Sequence, residues 1–321
     1  MPKVLIIQSF HDDGMALLDA RDDIDYEVVD GSSVDEMRAK IVDADGVTIR
    51  TALLPAEVLE GAERLKVVSR HGVGYDNVDL DVLNRHGIPM ALAADANASS
   101  VAEHVLFMML HLAKLGVRYD RATRSGEWAV RNSLQTSDIG GRQILILGFG
   151  RIGREVAKLC QAFRMKVSVF DPFVTADQVE AAGCRPVEDF RAVLGETDML
   201  TIHMPLTDDT HYLIGKAELS ALPDHALLIN CARGGIVDEA ALHAALTSGA
   251  IAGAGLDVFE QEPPAADHPL FALENVIFSP HSAGLTLECA RRMAVSTARN
   301  VLAGIDGKLD PAMVVNRQVL S

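Results

Sequence analysis

The sequence predicts an α/β chain of two doubly wound, parallel-sheet domains, one inserted into the other. Three observations carry that prediction. Short apolar runs alternate with helical patterns along most of the 321 residues, which is how βαβ units read. The alternation stops at a long helical stretch and then restarts, which argues for two sheets rather than one large one. A last helical pattern and a further apolar piece follow the second series, and both are read as returning to the first domain. The length itself exceeds the ~100–200 residues of a single domain.

In the first series strands are expected at Val4–Ser9, Tyr26–Val29, Gly46–Arg50, Lys66–Ser69 and Pro89–Leu92, with helices such as Asp12–Ala20, Ser33–Val42 and Pro55–Gly61 between them. A long helical segment runs from about Ser99 to Ser125. The second series has strands at Gln143–Leu147, Lys166–Phe170, Met199–His203, Ala226–Asn230, Gly253–Asp257 and Val276–Ser279. The last helix covers about Leu285–Ile305, and the tail holds Met313-Val314-Val315. The first domain is therefore expected to be discontinuous, residues 1–98 plus 287–321, around an inserted domain of residues 99–286.

Composition excludes several function classes. With 29 Lys and Arg against 45 Asp and Glu the net charge is −16, and a chain this acidic repels a phosphate backbone, so no nucleic-acid partner is expected. With 49% apolar residues there is ample material for packed cores, which argues against disorder. The longest apolar runs fall far short of the ~20 residues that span a bilayer, so no membrane partner is expected. The N-terminus enters a strand at once and lacks the pattern of a secretory signal. Cys160, Cys184, Cys231 and Cys289 are too scattered for a zinc site or a disulfide framework. Reduced thiols in the cytoplasm, and no metal, are the expectation.

Only the second series opens on a glycine-rich turn. Ile144-Leu145-Ile146-Leu147 runs into Gly148-Phe149-Gly150-Arg151-Ile152-Gly153, and a helical pattern follows. Strand, GxGxxG and helix in that order form the dinucleotide fingerprint of a Rossmann domain. Gly148 makes the tight turn, Gly150 lets the backbone approach a pyrophosphate, and Gly153 lets helix and strand pack closely. Amides around Arg151 and Ile152, at the positive end of the helix dipole, face the anionic phosphates. Asp171 ends the next strand, about 20 residues on, where a carboxylate accepts ribose hydroxyls. It also repels a 2′-phosphate, and Pro172 beside it supplies no cation, so NAD is favoured over NADP.

Three further segments end strands of the same series: Asn230-Cys231-Ala232-Arg233-Gly234-Gly235, Asp257-Val258-Phe259-Glu260-Gln261-Glu262-Pro263 and Ser279-Pro280-His281-Ser282-Ala283-Gly284. Ligands of open α/β sheets bind outside the carboxyl ends of the strands, so Arg233, Glu262 and His281 can converge there. With the glycine loop, these segments resemble the D-isomer-specific 2-hydroxyacid dehydrogenases over nearly the whole chain. Arg70-His71-Gly72-Val73-Gly74-Tyr75-Asp76-Asn77-Val78-Asp79 is similar to that family's substrate loop. Asn97-Ala98-Ser99-Ser100-Val101-Ala102-Glu103-His104 resembles the start of its interdomain helix, and His203-Met204-Pro205-Leu206-Thr207 its cofactor-side turn. Leu92-Ala93-Ala94-Asp95 departs from the Asn-Thr-Pro-Gly run that the family often has. The resemblance implies a flavodoxin-like substrate domain carrying an inserted Rossmann domain, and a two-fold homodimer built on the helix from Ser99.

Reducing a 2-oxo acid needs a hydride to carbon and a proton to oxygen. His281 is the expected general acid and base, because an imidazole titrates near neutral pH. Glu262 would pair with it and favour its protonated form. Arg233 would grip the carboxylate and polarise the carbonyl with planar donors, and the amides of Val73 and Gly74 would hold the other carboxylate oxygen. The resemblance extends the cofactor contacts to Val73, His203, Pro205, Thr207, Cys231, Ala232, Arg233, Asp257, His281, Ala283 and Gly284. His104, His111 and His11 read most simply as helix or loop residues. Cys231 has no base beside it in sequence and is not read as a nucleophile. Trp128 is read as covering the site or as a dimer contact.

The reaction expected is interconversion of a D-2-hydroxyacid and its 2-oxo acid. Arg50 ends a strand and, with Arg70, resembles the phosphoglycerate dehydrogenase branch, in which it would hold a phosphate or another terminal anion. Glyoxylate, hydroxypyruvate or a sulfonated or dicarboxylic hydroxyacid are the alternative substrates. The chain shows nothing like the regulatory domain of longer phosphoglycerate dehydrogenases, so serine feedback through one is not expected. A non-catalytic NAD-binding corepressor is an alternative of another class, and no recruitment tail favours it. A formate dehydrogenase would carry a Gln–His pair where this chain has Glu262.

Overall fold

The computed structural model describes residues 1–94 and 96–320; Asp95, in the run that departs from the family pattern, lies outside the described residues. The chain forms two compact units, residues 1–97 with 285–321, and residues 98–284.

The first unit starts with β1 (Lys3–Ile7), α1 (Asp12–Asp19), β2 (Asp25–Val29), α2 (Val34–Ile41), β3 (Gly46–Ile49), α3 (Ala56–Leu59), β4 (Val67–Arg70), α4 (Leu80–Arg85) and β5 (Met90–Leu92). The five strands are all parallel, in the order β2-β1-β3-β4-β5, the flavodoxin-like order. Side chains alternate across a strand, so Leu5 and Ile7 enter the core under α2, α3 and α4 while Val4 and Ile6 enter the opposite core. Each such fully buried aliphatic side chain contributes roughly 1.5–3 kcal/mol.

The second unit opens with α5 (Ala98–Lys114) and α6 (Gly116–Arg124), and here the expected single helix is corrected. Leu115 adopts the left-handed conformation at φ 51°, and the two helices meet at a bend of 55°. A left-handed residue cannot continue an α-helix, and the Ala113 carbonyl accepts instead from Ser137 N at 2.9 Å. Among the described residues no single helix is long and apolar enough to cross a membrane. β6 (Gln143–Leu147), α7 (Arg151–Ala162), β7 (Lys166–Phe170), α8 (Ala176–Ala181), β8 (Arg185–Pro186), β9 (Met199–Ile202), α9 (Lys216–Ala221), β10 (Leu227–Asn230), α10 (Glu239–Ser248), β11 (Gly253–Leu256) and β12 (Val276–Phe278) follow. The seven strands lie in the order β12-β11-β10-β9-β6-β7-β8, the Rossmann order with one strand added at an edge. Ile144 and Ile146 face the core under α5 and α7, and Leu145 and Leu147 the core under α9 and α10. β8 is absent from the expected strands because a two-residue strand ending in proline has no periodicity to read.

The chain returns to the first unit with α11 (Leu287–Ile305), capped by Thr286, whose side chain accepts from Cys289 N. Its buried face covers the Val4 and Ile6 side of the first sheet through Ala294, Ala298 and Val301. The tail bridges that sheet's edge antiparallel, Val314 against Ala91, and Val315 N donates to Met90 O at 2.9 Å.

Candidate active site

One row of registered residues organises the 98–284 unit. Phe170, Leu147, Ile202, Asn230, Leu256 and Phe278 are Cα partners across six adjacent parallel strands, and each is the last residue of its strand. The residues next in sequence therefore share one rim: Asp171, Gly148, His203, the Cys231–Arg233 turn, Asp257 and the Ser279–His281 turn. Three of them, His203, Asp257 and Ser279, were expected inside strands and instead leave the ladder.

The switch point of the sheet lies between β6 and β9. Gly148 sits there at φ +96°, where a Cβ would stand 2.6 Å from the His203 carbonyl oxygen. At Gly153 a Cβ would stand 2.1 Å from the Gly148 oxygen, so helix and turn touch through backbone alone. Gly150 differs, since a Cβ there meets nothing within 4 Å. It is the N-cap of α7 and supplies no side-chain cap to the helix. Positive helix end, open approach and missing cap fit a pyrophosphate.

Asp171 has a second task beyond the expected one. Its Oδ2 accepts from Phe149 N at 2.7 Å and its Oδ1 from Phe173 N at 2.8 Å, which ties the glycine turn to the end of β7. A carboxylate has about four acceptor sites, so positions remain for ribose hydroxyls. His203 bonds Thr201 Oγ1 through Nε2 at 2.9 Å, and its buried Nδ1 meets no protein partner among the described residues. Burial pushes His203 down to about 3, so it is neutral in use.

Arg233 stands in a turn built by Asn230, only 2% exposed. The Asn230 side chain accepts from Ala232 N at 3.0 Å and donates to Arg233 O at 2.9 Å. Gly234 presses this turn onto the β11 loop so closely that a Cβ would lie 1.8 Å from the Phe259 oxygen. In that loop Glu262 accepts from Phe259 N at 3.1 Å through Oε1, while its Oε2 lies 2.7 Å from His281 Nδ1. The carboxylate is thus aimed by the backbone before it meets the imidazole. His281 is exposed and adopts φ 51°, an uncommon conformation for a side-chain-bearing residue. Its amide donates to Asp257 O at 2.7 Å, and Asp257, 1% exposed, accepts from Ser282 N at 2.8 Å and Ala283 N at 3.0 Å.

Residues 106–283 match the family model described as the NAD binding domain of D-isomer specific 2-hydroxyacid dehydrogenases. The chain belongs to that family. It is 36% identical to a D-3-phosphoglycerate dehydrogenase of Archaeoglobus fulgidus over 94% of this chain, but spans only 56% of that relative's length. A glyoxylate reductase of Korarchaeum cryptofilum is 34% identical over 99% of this chain and 97% of its own. Among solved structures, an NADPH-dependent glyoxylate/hydroxypyruvate reductase of Sinorhizobium meliloti superposes with TM-score 0.86 at 27% identity, covering 99% of this chain and 98% of that one.

Other expected residues fall as follows. Pro205 and Thr207 follow β9 on an exposed turn, and Thr210 Oγ1 donates to Pro205 O at 2.7 Å. Cys231 is buried and its thiol is pushed up, first by burial and then by Asp257, so it is no nucleophile. All four cysteines are free and buried. Arg50, Arg70, Val73 and Gly74 lie in the other unit, where Ile49 and Arg70 are registered partners at the ends of β3 and β4. Arg50 Nη1 donates to Ser9 O at 2.8 Å, and Arg70 Nη1 donates to His71 O. His11 accepts from Asp13 N at the start of α1. Sequence reasoning missed the bond between His104 Nε2 and Ser279 Oγ, 2.9 Å. The only signal was a polar residue on a helix whose neighbours at helical spacing, Val101 and Met108, are buried.

Proposed function

We propose that the protein interconverts a small anionic D-2-hydroxyacid and its 2-oxo acid with NAD(H). The observation that carries this is the His281–Glu262 pair, 2.7 Å apart, on the same strand-end rim as the glycine turn. Gly148, Gly150, Gly153 and Asp171 would hold the dinucleotide, with His203, Asp257 and Ala283 further along the rim. Bound NAD(H) supplies or accepts the hydride.

The protein's own groups supply the rest. His281 Nε2 is the proton carrier, because Nδ1 is engaged by Glu262. Glu262 fixes the ring and balances the imidazolium charge. Arg233 neutralises the substrate carboxylate and polarises the adjacent carbonyl. Val73 and Gly74 amides take the remaining carboxylate oxygen, and Arg50 with Arg70 addresses a distal anion.

Phosphoglycerate is the preferred substrate reading, with glyoxylate or hydroxypyruvate as the smaller alternative that the near full-length reductase relative favours. NAD over NADP rests on the Asp171 carboxylate at the end of β7, with Pro172 rather than a cationic residue next to it in sequence. A homodimer built on α5 is supported by Phe107, 50% exposed on that helix, and by Trp128, 64% exposed in the segment that follows. Cytoplasmic residence is inferred from four unpaired cysteines.

Steady-state rates on a panel of 2-oxo acids, phosphohydroxypyruvate included, with NADH and NADPH, test the reading. Turnover with NADH is expected. Turnover of none would end the enzymatic reading, and a preference for NADPH would end the reading of Asp171. Light scattering at micromolar concentration tests the dimer.

A further inference from the structure

We propose that His104 is a positioning residue for His281, acting from α5 through Ser279 and Asp257. The proposal rests on the assignment of His281 made above. Ser279 Oγ donates its one proton to Asp257 Oδ1, so the same oxygen accepts from His104 Nε2–H across 2.9 Å. Asp257 Oδ1 also accepts Ser282 N, and Oδ2 accepts Ala283 N. These amides lie immediately after His281, while the His281 amide is held by the carbonyls of Asp257, 2.7 Å, and Ser279, 3.1 Å. Every backbone anchor of the turn thus passes through Asp257 or Ser279. His104 is the group that links these two residues to a long helix.

The turn needs such an anchor. His281 is left-handed at φ 51°, a conformation that persists only where surroundings over-determine it. Asp257 is almost fully buried, and a buried carboxylate holds its place only while its acceptors are satisfied. Burial holds His104 below the ordinary imidazole range, with Asp257 opposing, so it serves as a neutral Nε2–H donor. Misplacing a reacting group by about 1 Å can reduce rate by about 100-fold.

The test uses the full chain, NADH and glyoxylate or whichever 2-oxo acid the panel identifies. His104→Phe and Ser279→Ala are each expected to lower kcat by about 10- to 100-fold, with KM for NADH within about 3-fold. The double variant should be no slower than the slower single variant, because both changes cut one chain. His104→Gln places an amide donor near the Nε2 position and should recover most of kcat. Amide exchange at Ser282 and Ala283 should accelerate in His104→Phe and Ser279→Ala but not in His104→Gln. Additive losses, unchanged exchange, or a His104→Gln variant as slow as His104→Phe would overturn the proposal. If the native protein turns over no 2-oxo acid, the functional reading fails, and the exchange measurement alone decides whether His104 anchors the turn.

Discussion

At the switch point of each sheet, one residue directly follows the first strand, and the two differ. Gln8 follows β1 and Gly148 follows β6. Both have positive φ, 67° and 96°, and both donate their amides to the last carbonyl of the neighbouring strand, Val29 at 2.7 Å and Phe170 at 2.9 Å. Gln8 then fills the switch point with its own side chain, whose Oε1 accepts from Thr51 N and Ala52 N, each at 2.8 Å. Gly148 has no side chain to place there. The helices that follow diverge in the same sense. α1 begins with Asp12 and Asp13 and takes a side-chain cap from His11, which closes its N-terminus to an anion. α7 begins with Arg151 after an uncapped glycine. Two doubly wound sheets therefore yield a sealed switch point and a dinucleotide-receptive one, and at the switch points themselves the difference lies in a few residues.

The largest expected effect separates the chemistry of the two rims. His281→Ala should lower kcat by roughly 10²–10⁴, the range for a general acid–base residue, with NADH binding little changed. Arg50→Ala, on the other rim, should raise KM for a doubly anionic substrate about 10-fold and leave kcat within a few-fold. Equal kcat losses in the two variants would erase the division of labour.

A pair of glycine variants sharpens the contrast at the receptive switch point. Gly153→Ala drives a methyl into the Gly148 carbonyl, 2.1 Å away, and should destabilise the fold by about 2–3 kcal/mol. Gly150→Ala meets nothing within 4 Å and should leave the urea midpoint unchanged. It should weaken NADH about 10-fold, because backbone can no longer approach the pyrophosphate. A Gly150→Ala protein that binds NADH normally would remove the glycine turn from the binding argument.

Why the sequence reveals some of this and hides the rest follows from particular residues. Apolar runs mark nearly every strand, because a parallel strand is buried on both faces. They overshoot at Arg50, His203, Asp257 and Ser279, where the chain leaves the ladder and side-chain periodicity carries no information. Leu115 looks helical in sequence, yet it turns left-handed and breaks the long helix just before Gly116. Arg233, Glu262 and His281 are legible as strand-end residues in order. Two of their supports are not: Gly234 and His104 act through contacts distant in sequence, such as the 175-residue separation between His104 and Ser279.

Glu262→Gln probes the aim of His281 on the active rim. The variant keeps an acceptor at the 2.7 Å contact with Nδ1 but removes the carboxylate charge. Reduction and oxidation should each lose about 10-fold in kcat, because the ring is held less firmly in its reacting position, with KM for NADH little changed. Steady-state rates in both directions check this, and an unchanged kcat would leave Glu262 without its assigned part.

The smallest expected effect concerns the sealed unit. His71 is 8% exposed, stacked 5.9 Å from Phe10, and its Nε2 is buried without a protein partner among the described residues. Burial first, and then the Arg50 and Arg70 charges, push it down from 6.5 to about 4. The unfolded chain binds a proton at His71 from pH 6.5 downward, and the folded one does not until about pH 4. In that window the unfolded state holds more protons, so stability falls as pH falls. At pH 6 the contribution is about 0.8 kcal/mol, set almost wholly by the unfolded-state value. His71→Phe keeps a ring against Phe10 and removes the titration. Its urea stability should therefore decline between pH 7.5 and 6 by about 0.8 kcal/mol less than that of the native protein. Equal declines would show that His71 takes up its proton in the folded state, and the buried, neutral reading of the first unit's rim would be lost.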